Sequence, residues 1–328
     1  MRPSLLVSIV GRCALAAVAW VFTMSVASAD MWPSRPIKWI VPFPPGGGAD
    51  ALARMLSERL RAKLGQTVVL ENKTGAGSNI GTEFVAKSAP DGYTFLINTD
   101  AIAIYPQLYA NLRYDPFKDL APVTFVASSP LLLAVHPSVP GKTVKEFVET
   151  AKREASKINF ANPGQGSPHH LAFELLARTA GIEIGQANYR GGGPALNDVV
   201  AGHAQVGMFT YGAVRQFVQG GQLKPLALLT EKRSELAPDM PTVVEAGWPG
   251  VHVALRFVVM APAGTPADIT ARLHAAIAEV SKEPDYLQQL RQAGFEAFVT
   301  SPSDTGALLR GESTRWAPIL KSSGIRLD

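Results

Sequence analysis

The chain has 328 residues, of which 47% are hydrophobic and 18% are charged, and it contains a single cysteine. This composition excludes a disordered chain and a disulfide-stapled scaffold, and the length accommodates two ordinary domains. A formal net charge of +4, with no basic run and no interleaving of aromatic and basic residues, argues against a nucleic-acid partner.

The N-terminal residues have the pattern of a secretory signal peptide. Arg2 and Arg12 precede an apolar run from Cys13 to Val26, and residues 27–29 read Ala-Ser-Ala, an A-x-A cleavage site. The apolar run is shorter than the roughly 20 residues of a membrane span. We expect cleavage after Ala29 and export of the mature protein. Subtracting the two leader arginines from +4 leaves a charge of +2 and no cysteine, which excludes thiol catalysis and cysteine-ligated metals.

The first half of the mature chain alternates predicted strands and helices. Ile37 to Phe43 is apolar and β-branched, and the apolar residues of Ala51 to Leu64 recur at helical spacing. A strand at 67–70, a helix at 82–88 and a strand at 93–98 follow. Two glycine loops, PPGGGAD and ENKTGAGSNIG, connect a strand to a helix in each case. Such βαβ units predict a parallel sheet.

A second series of the same units begins after His136. It predicts helices at 143–155, 168–179 and 194–201 and strands at 158–161, 182–188, 206–209 and 225–229. Two extended apolar segments, Pro130 to Val135 and Val251 to Met260, flank this series, and the helical residues after them need the first lobe to pack against. The sequence therefore predicts an α/β protein of two lobes with two crossing strands, a hinge and a cleft. We place domain I at 30–127 and 256–328 and domain II at 128–255.

The two glycine loops are candidates for anion binding. Each follows the carboxyl end of a predicted parallel strand and opens a helix, where free backbone N–H groups and the helix dipole favour an anion. Glycine permits close approach of a ligand and positive φ, and we expect Asp50 to cap its helix. GAGSNIG has its last glycine one residue late for G-x-G-x-x-G, and PPGGGAD lacks the Lys-Ser/Thr of a P-loop. We predict a carboxylate cradle; the alternative is that the glycines only shape tight turns.

Patterns for catalysis and metal binding are weak. GQGSPHH offers Ser167, His169 and His170, but it lacks the G-x-S-x-G elbow, and a serine before proline at a helix start is more often a cap. The six histidines show no metal-ligand spacing. We therefore expect neither an enzyme nor a cofactor. An exported hydrolase of small esters or amides using Ser167 and His170 remains the alternative function, and either histidine could instead donate a hydrogen bond to a ligand.

A series of motifs resembles a known protein family. In chain order these are PFPPGGGADALARMLSERL, ENKTGAGSNIGTEFVAKSAPDGYTFLINT, YDPFKDLAPV, GSPHHLAFELL, NYRGGGPALNDVVAG, MPTVVEAG and APAGTP. Together they resemble the periplasmic substrate-binding proteins of tripartite tricarboxylate transporters, the Bug family, over nearly the whole mature chain. The resemblance implies a periplasmic, monomeric Venus flytrap without catalysis. It would hold an organic carboxylate in its interdomain cleft, partly through ordered water, and deliver it to two membrane transporter subunits.

The resemblance also implies which residues bind the ligand. Residues 46–50 and 75–81 match the family's two ligand loops, with Ser78 where glycine is more usual. Ser167 and His170 match a Gly-Ser-x-x-His turn. Residues 189–191 match a Tyr-Lys-Gly turn, in which Arg190 replaces lysine, and Asn188 replaces the usual proline before it. The candidate ligand-binding residues are Phe43, Pro44, Gly46, Gly47, Gly48, Ala49, Asp50, Gly75, Ala76, Gly77, Ser78, Asn79, Thr99, Ser167, His169, His170, Tyr189, Gly191, Phe209, Thr210 and Arg256.

Arg256 interrupts the apolar crossing segment VHVALRFVVMAP. Strand alternation places it opposite the more apolar face formed by Val253, Leu255 and Phe257, so its guanidinium must reach solvent, an acidic partner or the cleft. Arginine's planar fork suits a carboxylate. We expect it to meet the second carboxylate of an aliphatic or aromatic dicarboxylate whose first lies in the glycine loops. The alternative is a salt bridge to a nearby acid.

Overall fold

The computed structural model describes residues 32–327, so the predicted signal peptide and its cleavage site lie outside the described residues. Residues 32–34 contain a cis peptide bond between Trp32 and Pro33 and precede a compact unit that begins at Arg35. No helix within 32–327 is both long and apolar enough to cross a membrane.

Three parallel strands open the compact unit. Strand β1 (Ile37–Val41) lies between β2 (Val68–Asn72) and β3 (Thr94–Thr99), and the helices α1 (Gly48–Leu64) and α2 (Asn79–Ala86) connect them. This arrangement confirms the βαβ prediction. Because the strands are parallel and in register, the loops that follow β1 and β2 emerge at the same edge of the sheet. Both glycine loops therefore lie at the carboxyl edge.

Strand β4 (Leu120–Val135) joins two groups of strands. It follows a short 3₁₀ helix (Asp100–Ile104) and the single-turn helix α3 (Tyr105–Leu108). Its residues 120–130 pair antiparallel with β9 (Ala254–Pro262), which also pairs with β3, whereas residues 131–135 pair with strands of the second series. The sequence predicted only the last six of its 16 residues. Strand β9 starts three residues later than predicted, because Pro249–Val251 forms a 3₁₀ turn.

The second series of elements also alternates as predicted. Strand β5 is parallel to β6 and β7 on either side of it, while β7 and β8 pair antiparallel with β4. Helix α7 in this series was not predicted. The elements are α4 (Val144–Arg153), β5 (Asn159–Asn162), α5 (Pro168–Ala180), β6 (Gly185–Asn188), α6 (Gly192–Val200), β7 (Val206–Thr210), α7 (Tyr211–Gln219) and β8 (Lys224–Leu228).

The C-terminal helices return to the first series, as expected. They are α8 (Ala267–Val280), α9 (Pro284–Gln292) and α10 (Pro302–Ser323), and the two-residue strand β10 (Glu296–Ala297) pairs with β4. Helix α8 packs on α1, and α10 packs on β4 and on the 3₁₀ helix after β3. The strand order is β2-β1-β3-β9-β4-β7-β5-β6, with β8 and β10 also paired to β4. The α/β prediction is confirmed.

Each series of strands has its own buried aromatic side chains. Trp39, Phe95 and Phe125 are fully buried in the first series. In the second, Phe160 of β5 stacks on Phe173 of α5 with ring centroids 3.9 Å apart. Burial of a large apolar side chain contributes roughly 1.5–3 kcal/mol, so these side chains stabilise each series, and the Phe160–Phe173 stack holds α5 on the sheet.

Candidate functional site

Asp50 holds the first glycine loop in place. The N-cap residue of α1 is Gly47, so Asp50 lies in the first helical turn, and the expectation that it caps the helix was wrong. Its carboxylate is 2% exposed and accepts hydrogen bonds from Gly46 N–H (3.0 Å), Arg54 Nε (2.9 Å) and Asn72 Nδ2 (3.0 Å). Arg54, opposed in part by burial, lowers the pKa of Asp50 to about 2. Asp50 is therefore ionised, and its carboxylate is occupied by these three donors.

The start of α1 keeps its backbone donors free. No side chain caps this helix. The N–H groups of its first three residues, Gly48, Ala49 and Asp50, have no hydrogen-bond partner within 32–327. Gly48 and the loop residues before it, including Pro44, are exposed, and Phe43 is partly exposed. An uncapped helix N-terminus concentrates partial positive charge on such N–H groups, which favours an anion.

The second loop has an unusual backbone. Gly75, Ala76, Gly77 and Ser78 all have positive φ, at 126°, 45°, 60° and 81°. For a non-glycine residue this conformation costs about 1–2 kcal/mol, so Ala76 and Ser78 are both strained. The N–H groups of Gly75, Ala76 and Gly77 have no partner among the described residues. The strained loop thus presents three consecutive free donors.

Two tyrosines that the sequence did not indicate support this loop. The hydroxyl of Tyr105 lies 2.6 Å from Ser78 Oγ, so the serine does not cap α2. A Cβ added to Gly77 would overlap the hydroxyl of Tyr109 and stand 3.5 Å from its Cζ, so only glycine fits there without a shift. Asn79 Oδ1 accepts from the hydroxyl of Tyr114 at 2.7 Å. No motif in the sequence signals the contacts of Tyr105 and Tyr109, whereas Tyr114 opens the motif YDPFKDLAPV.

The two loops lie side by side. Asn72 Nδ2, at the end of β2, also donates to the carbonyl oxygen of Phe43 at 2.9 Å. Gly81 of α2 packs so closely against the first loop that a Cβ would stand 2.9 Å from Pro42 Cβ. Thr99, at the neighbouring end of β3, is buried, and its N–H bonds to Asn98 Oδ1. The structure therefore brings the predicted first-lobe residues together at one edge.

Ser167 and His170 form the start of α5. Ser167 is its N-cap residue and accepts from the N–H of His170 at 3.2 Å, which confirms the cap interpretation. The imidazole of His170 is 3% exposed; its Nδ1 accepts from Gly166 N–H at 3.1 Å and its Nε2 lies 3.7 Å from Glu174. Burial lowers the pKa of His170, and Glu174 opposes this shift. Both ring nitrogens thus have partners other than the serine hydroxyl, unlike the nucleophile and base of a hydrolase.

Tyr189, Gly191 and Thr210 lie at the carboxyl edge of the second series. Tyr189 donates its hydroxyl to Asp198 at 2.7 Å, and desolvation and that acid raise its pKa to about 12. Gly191 is the N-cap residue of α6 and Thr210 that of α7, and neither helix has a side-chain cap. Phe209 is 2% exposed within the core of this series, so its side chain packs the core.

Arg256 is engaged by two acids. Its Nη1 lies 3.7 Å from Asp100 and 3.4 Å from Glu312, and the side chain is 18% exposed. This geometry corresponds to the salt-bridge alternative. Asp100 is buried, and desolvation raises its pKa to about 7 despite the opposing charge of Arg256. We therefore leave Arg256 out of the proposed ligand site.

Close contacts connect the two series at both ends of this edge. Gly212 at the start of α7 packs against the backbone of Ala293 and Gly294, and the next residue, Phe295, lies under Gly48. At the other end, Gly166 packs against Leu327, which in turn bonds to Leu108. The uncapped helix N-termini of the two series thus face a common region.

Other potential sites are separate from this region. A cavity of about 680 Å³ opens between α4, α5 and the segment before β6, and none of the predicted ligand-binding residues lines it. Within 32–327, no group of three or more histidine, aspartate or glutamate side chains is arranged to hold a metal ion. The region bounded by the glycine loops is accordingly the candidate site.

Comparisons with known proteins agree on one family. Residues 52–325 match the family model for the tripartite tricarboxylate transporter family receptor. BugT of Bordetella pertussis is 35% identical over 302 residues, which cover 92% of this chain and 93% of BugT. A protein of Pseudomonas sp. strain P51, assigned to UPF0065 and encoded in the tcbD-tcbE intergenic region, is 35% identical over 94% of this chain and 93% of its own length.

Solved structures show the same fold. The periplasmic binding protein BugD superposes with a TM-score of 0.81 at 32% identity, covering 90% of this chain and 99% of BugD. The structure of R. palustris Rpa4515 with adipate superposes with a TM-score of 0.83 at 35% identity, covering 90% of this chain and 99% of Rpa4515. MatC (Rpa3494) from Rhodopseudomonas palustris with bound malate superposes with a TM-score of 0.77 at 29% identity, covering 88% of this chain and 100% of MatC. Both of these ligands are dicarboxylates.

Proposed function

The chain belongs to the tripartite tricarboxylate transporter receptor family of periplasmic solute-binding proteins, and we propose that it captures an organic dicarboxylate and delivers it to the two membrane subunits of such a transporter. The ligand would lie between a domain of residues 30–127 and 256–328 and a domain of residues 128–255. The protein would act as a monomer, be exported by its cleaved N-terminal signal, and carry out no catalysis.

One observation carries this proposal: six free backbone N–H groups at one sheet edge. They belong to Gly48, Ala49 and Asp50 and to residues 75–77. The only acid among these residues, Asp50, is turned into its own loop by Gly46, Arg54 and Asn72, so it does not repel an anion. Donors fixed before the ligand arrives lose little entropy on binding. A carboxylate has the charge and acceptor geometry that such donors favour.

The positions of the free donors indicate which class of ligand fits the site. Those of the glycine loops can hold one carboxylate, while the uncapped α6 and α7 face the same region from the second series. A ligand with acceptors at both ends would contact both series. The relatives with adipate and malate have such ligands of different lengths. We therefore propose a dicarboxylate, aliphatic or aromatic, as the ligand class.

A thermal-shift screen tests this function. Acetate, benzoate, malate, succinate, adipate, terephthalate and citrate are each added to the mature protein. A ligand at 100 times its Kd stabilises by about 2.7 kcal/mol, which gives a clear rise in Tm. We expect dicarboxylates to produce such a rise and monocarboxylates to produce little. No shift with any carboxylate would contradict the proposal.

Gly48→Pro tests the donors directly. Gly48 is the first helical residue, where proline is tolerated, and Gly47 before it has extended backbone angles (φ −76°, ψ 168°) that proline requires of its neighbour. The substitution removes one free N–H and leaves the helix intact. Gly48→Ala is the matched control, because it adds a Cβ and keeps the N–H. A hydrogen bond to a charged group contributes about 1.5–3 kcal/mol, so calorimetry should show roughly tenfold or greater loss for Gly48→Pro alone. Equal affinities of the two variants would remove this donor from the site.

A further inference from the structure

Of the two adjacent histidines in α5, only His170 is used within the fold. Both of its ring nitrogens face partners, Gly166 N–H and Glu174. His169 is partly exposed, and its ring has no hydrogen-bond partner within 32–327. An imidazole carries one donor and one acceptor when neutral. His169 therefore has a free polar ring that neither packing nor capping of α5 explains.

The packing of α5 shows where this ring lies. Helix residues three and four apart share a face. Ala172 and Phe173 are fully buried, and Phe173 stacks on Phe160 of β5. His169 lies on that same face one turn nearer the helix N-terminus, so it projects beyond Phe160 over the carboxyl end of β5. That edge is the one that carries Gly191 and Thr210.

We propose that His169 binds the second carboxylate of the ligand, and so makes this chain selective for dicarboxylates over monocarboxylates. This inference rests on the function proposed above, in which the glycine loops hold the first carboxylate. His169 contributes from the second series of elements. A ligand that reaches both must carry an acceptor at each end, and a monocarboxylate leaves the imidazole without a partner. Binding of a monocarboxylate therefore carries the free-energy cost of an unsatisfied imidazole, whereas binding of a dicarboxylate does not.

The position of His169 also couples carboxylate binding to proton uptake. Desolvation alone lowers the pKa of His169 to about 4, so the free protein holds a neutral ring at neutral pH. A carboxylate placed beside the ring raises its pKa, because the opposite charge stabilises the imidazolium. Between the two pKa values, binding takes up a proton. Affinity for a dicarboxylate therefore rises as the pH falls through the pKa of the complex.

Most other ionisable groups near α5 have a partner within the protein. Strands β5, β6 and β7 carry no ionisable side chain. Arg190, in the turn after β6, is exposed. On α5 itself, Glu174 lies beside His170, and Arg178, near the far end of the helix, donates to Ser322 Oγ. Groups on neighbouring elements include Tyr189 with Asp198 and His203, His252 with the Pro249 carbonyl, and Arg256 with Asp100 and Glu312.

Calorimetry with succinate, adipate and their monocarboxylate counterparts, butyrate and hexanoate, tests the inference at pH 8 and pH 5.5. The variants are His169→Ala and His169→Gln, with His136→Gln as the control. His136 follows Val135, which pairs with the start of β7, so it lies at the opposite sheet edge, bonded to Ser138. We expect His169→Ala to lose roughly tenfold or more in affinity for the dicarboxylate that binds best, and little for the monocarboxylates.

His169→Gln separates the hydrogen bond from the proton. Glutamine keeps an N–H donor but does not titrate, so affinity should be largely retained while the pH dependence disappears. Wild type and His136→Gln should gain several-fold in affinity from pH 8 to pH 5.5 relative to His169→Gln, and should take up a fractional proton in buffers of different ionisation enthalpy. Equal losses for mono- and dicarboxylates in His169→Ala, or none for either, would overturn the inference while leaving the proposed function intact. Failure of the wild type to bind any carboxylate would overturn both.

Discussion

Gly212 at the start of α7 and Gly294 before β10 lie backbone against backbone. A Cβ on Gly212 would stand 2.7 Å from the carbonyl oxygen of Ala293 and 2.9 Å from the Cα of Gly294. Ser129 of β4 donates its hydroxyl to the carbonyl of Gly294 at 2.9 Å, which fixes that turn. The contact therefore sets how closely the start of α7 can approach the first series of elements and, through Phe295, the first glycine loop.

Gly212→Ala should weaken ligand binding by preventing this approach. Backbone atoms cannot move aside as a flexible side chain can, and overpacking of this kind costs about 1–3 kcal/mol. We expect roughly 5- to 100-fold weaker dicarboxylate binding by calorimetry. X-ray scattering should show no ligand-induced decrease in the radius of gyration, which wild type should display. Gly311→Ala in α10, where a Cβ meets nothing within 4 Å, is the control. Wild-type affinity of Gly212→Ala would show that the contact is not needed for binding.

Gly77→Ala should disturb the second loop through Tyr109. The added Cβ would overlap the tyrosine hydroxyl, and the φ of 60° adds about 1–2 kcal/mol of strain. We expect at least a tenfold loss of ligand affinity. The double variant Gly77→Ala/Tyr109→Phe removes the hydroxyl and leaves a 3.5 Å contact to the ring carbon, so it should recover part of the loss. Tyr109→Phe alone is the reference. No recovery in the double variant would mean that steric overlap is not the cause.

Asp50→Ala should destabilise the fold as well as the first loop. The change leaves Gly46 N–H and Asn72 Nδ2 without their acceptor, and we expect a loss of about 2–3 kcal/mol in urea unfolding at pH 7. Because the folded-state pKa is depressed from 3.8 to about 2, the carboxylate's contribution is fully present above pH 3.8 and is lost as the pH falls through 2. The difference in free energy of unfolding between wild type and Asp50→Ala should therefore narrow as the pH falls. Glu58→Gln, on the same helix but exposed, is the control. A gap that stays constant down to pH 2 would contradict the assignment.

Asp100→Asn should change the pH profile of stability in the opposite sense. The folded-state pKa of Asp100 is raised from 3.8 to about 7, so the stability linked to its proton is fully present below pH 3.8 and is lost as the pH rises through 7. The asparagine variant should therefore gain about 2 kcal/mol relative to wild type between pH 5 and pH 8. Asp268→Asn, at an exposed site, should follow wild type. Parallel profiles of wild type and Asp100→Asn would show that Asp100 titrates normally.

Local signals in the sequence predicted most of the fold. Apolar spacing located most strands and helices of both series, although it missed helix α7, and the serine before Pro168 was correctly interpreted as a helix cap. These signals are reliable because helix and strand periodicity and capping depend on residues within a few positions of one another. The glycine loops were visible for the same reason. Strand β4 was underpredicted because Pro122, Ser128 and Ser129 break its apolar pattern before Pro130, and only its partners on both sides make it a strand.

Side-chain roles at the site depended on long-range contacts. Asp50 carried the same local signal as a helix cap, but Arg54 and the distant Asn72 turn it into the clamp of the first loop. Tyr105 and Tyr109 are far in sequence from the loop they support.

The two neighbouring histidines are equivalent in sequence, and only the folded chain gives the ring of His170 two partners, Gly166 N–H and Glu174, and leaves the ring of His169 free. Arg256 was visible as an anomaly in an apolar strand, yet its partners come from the 3₁₀ helix after β3 and from α10, which the strand sequence does not encode. Local periodicity thus determined where the elements and loops begin, while the folded chain decided which polar groups remain unsatisfied and free to bind a ligand.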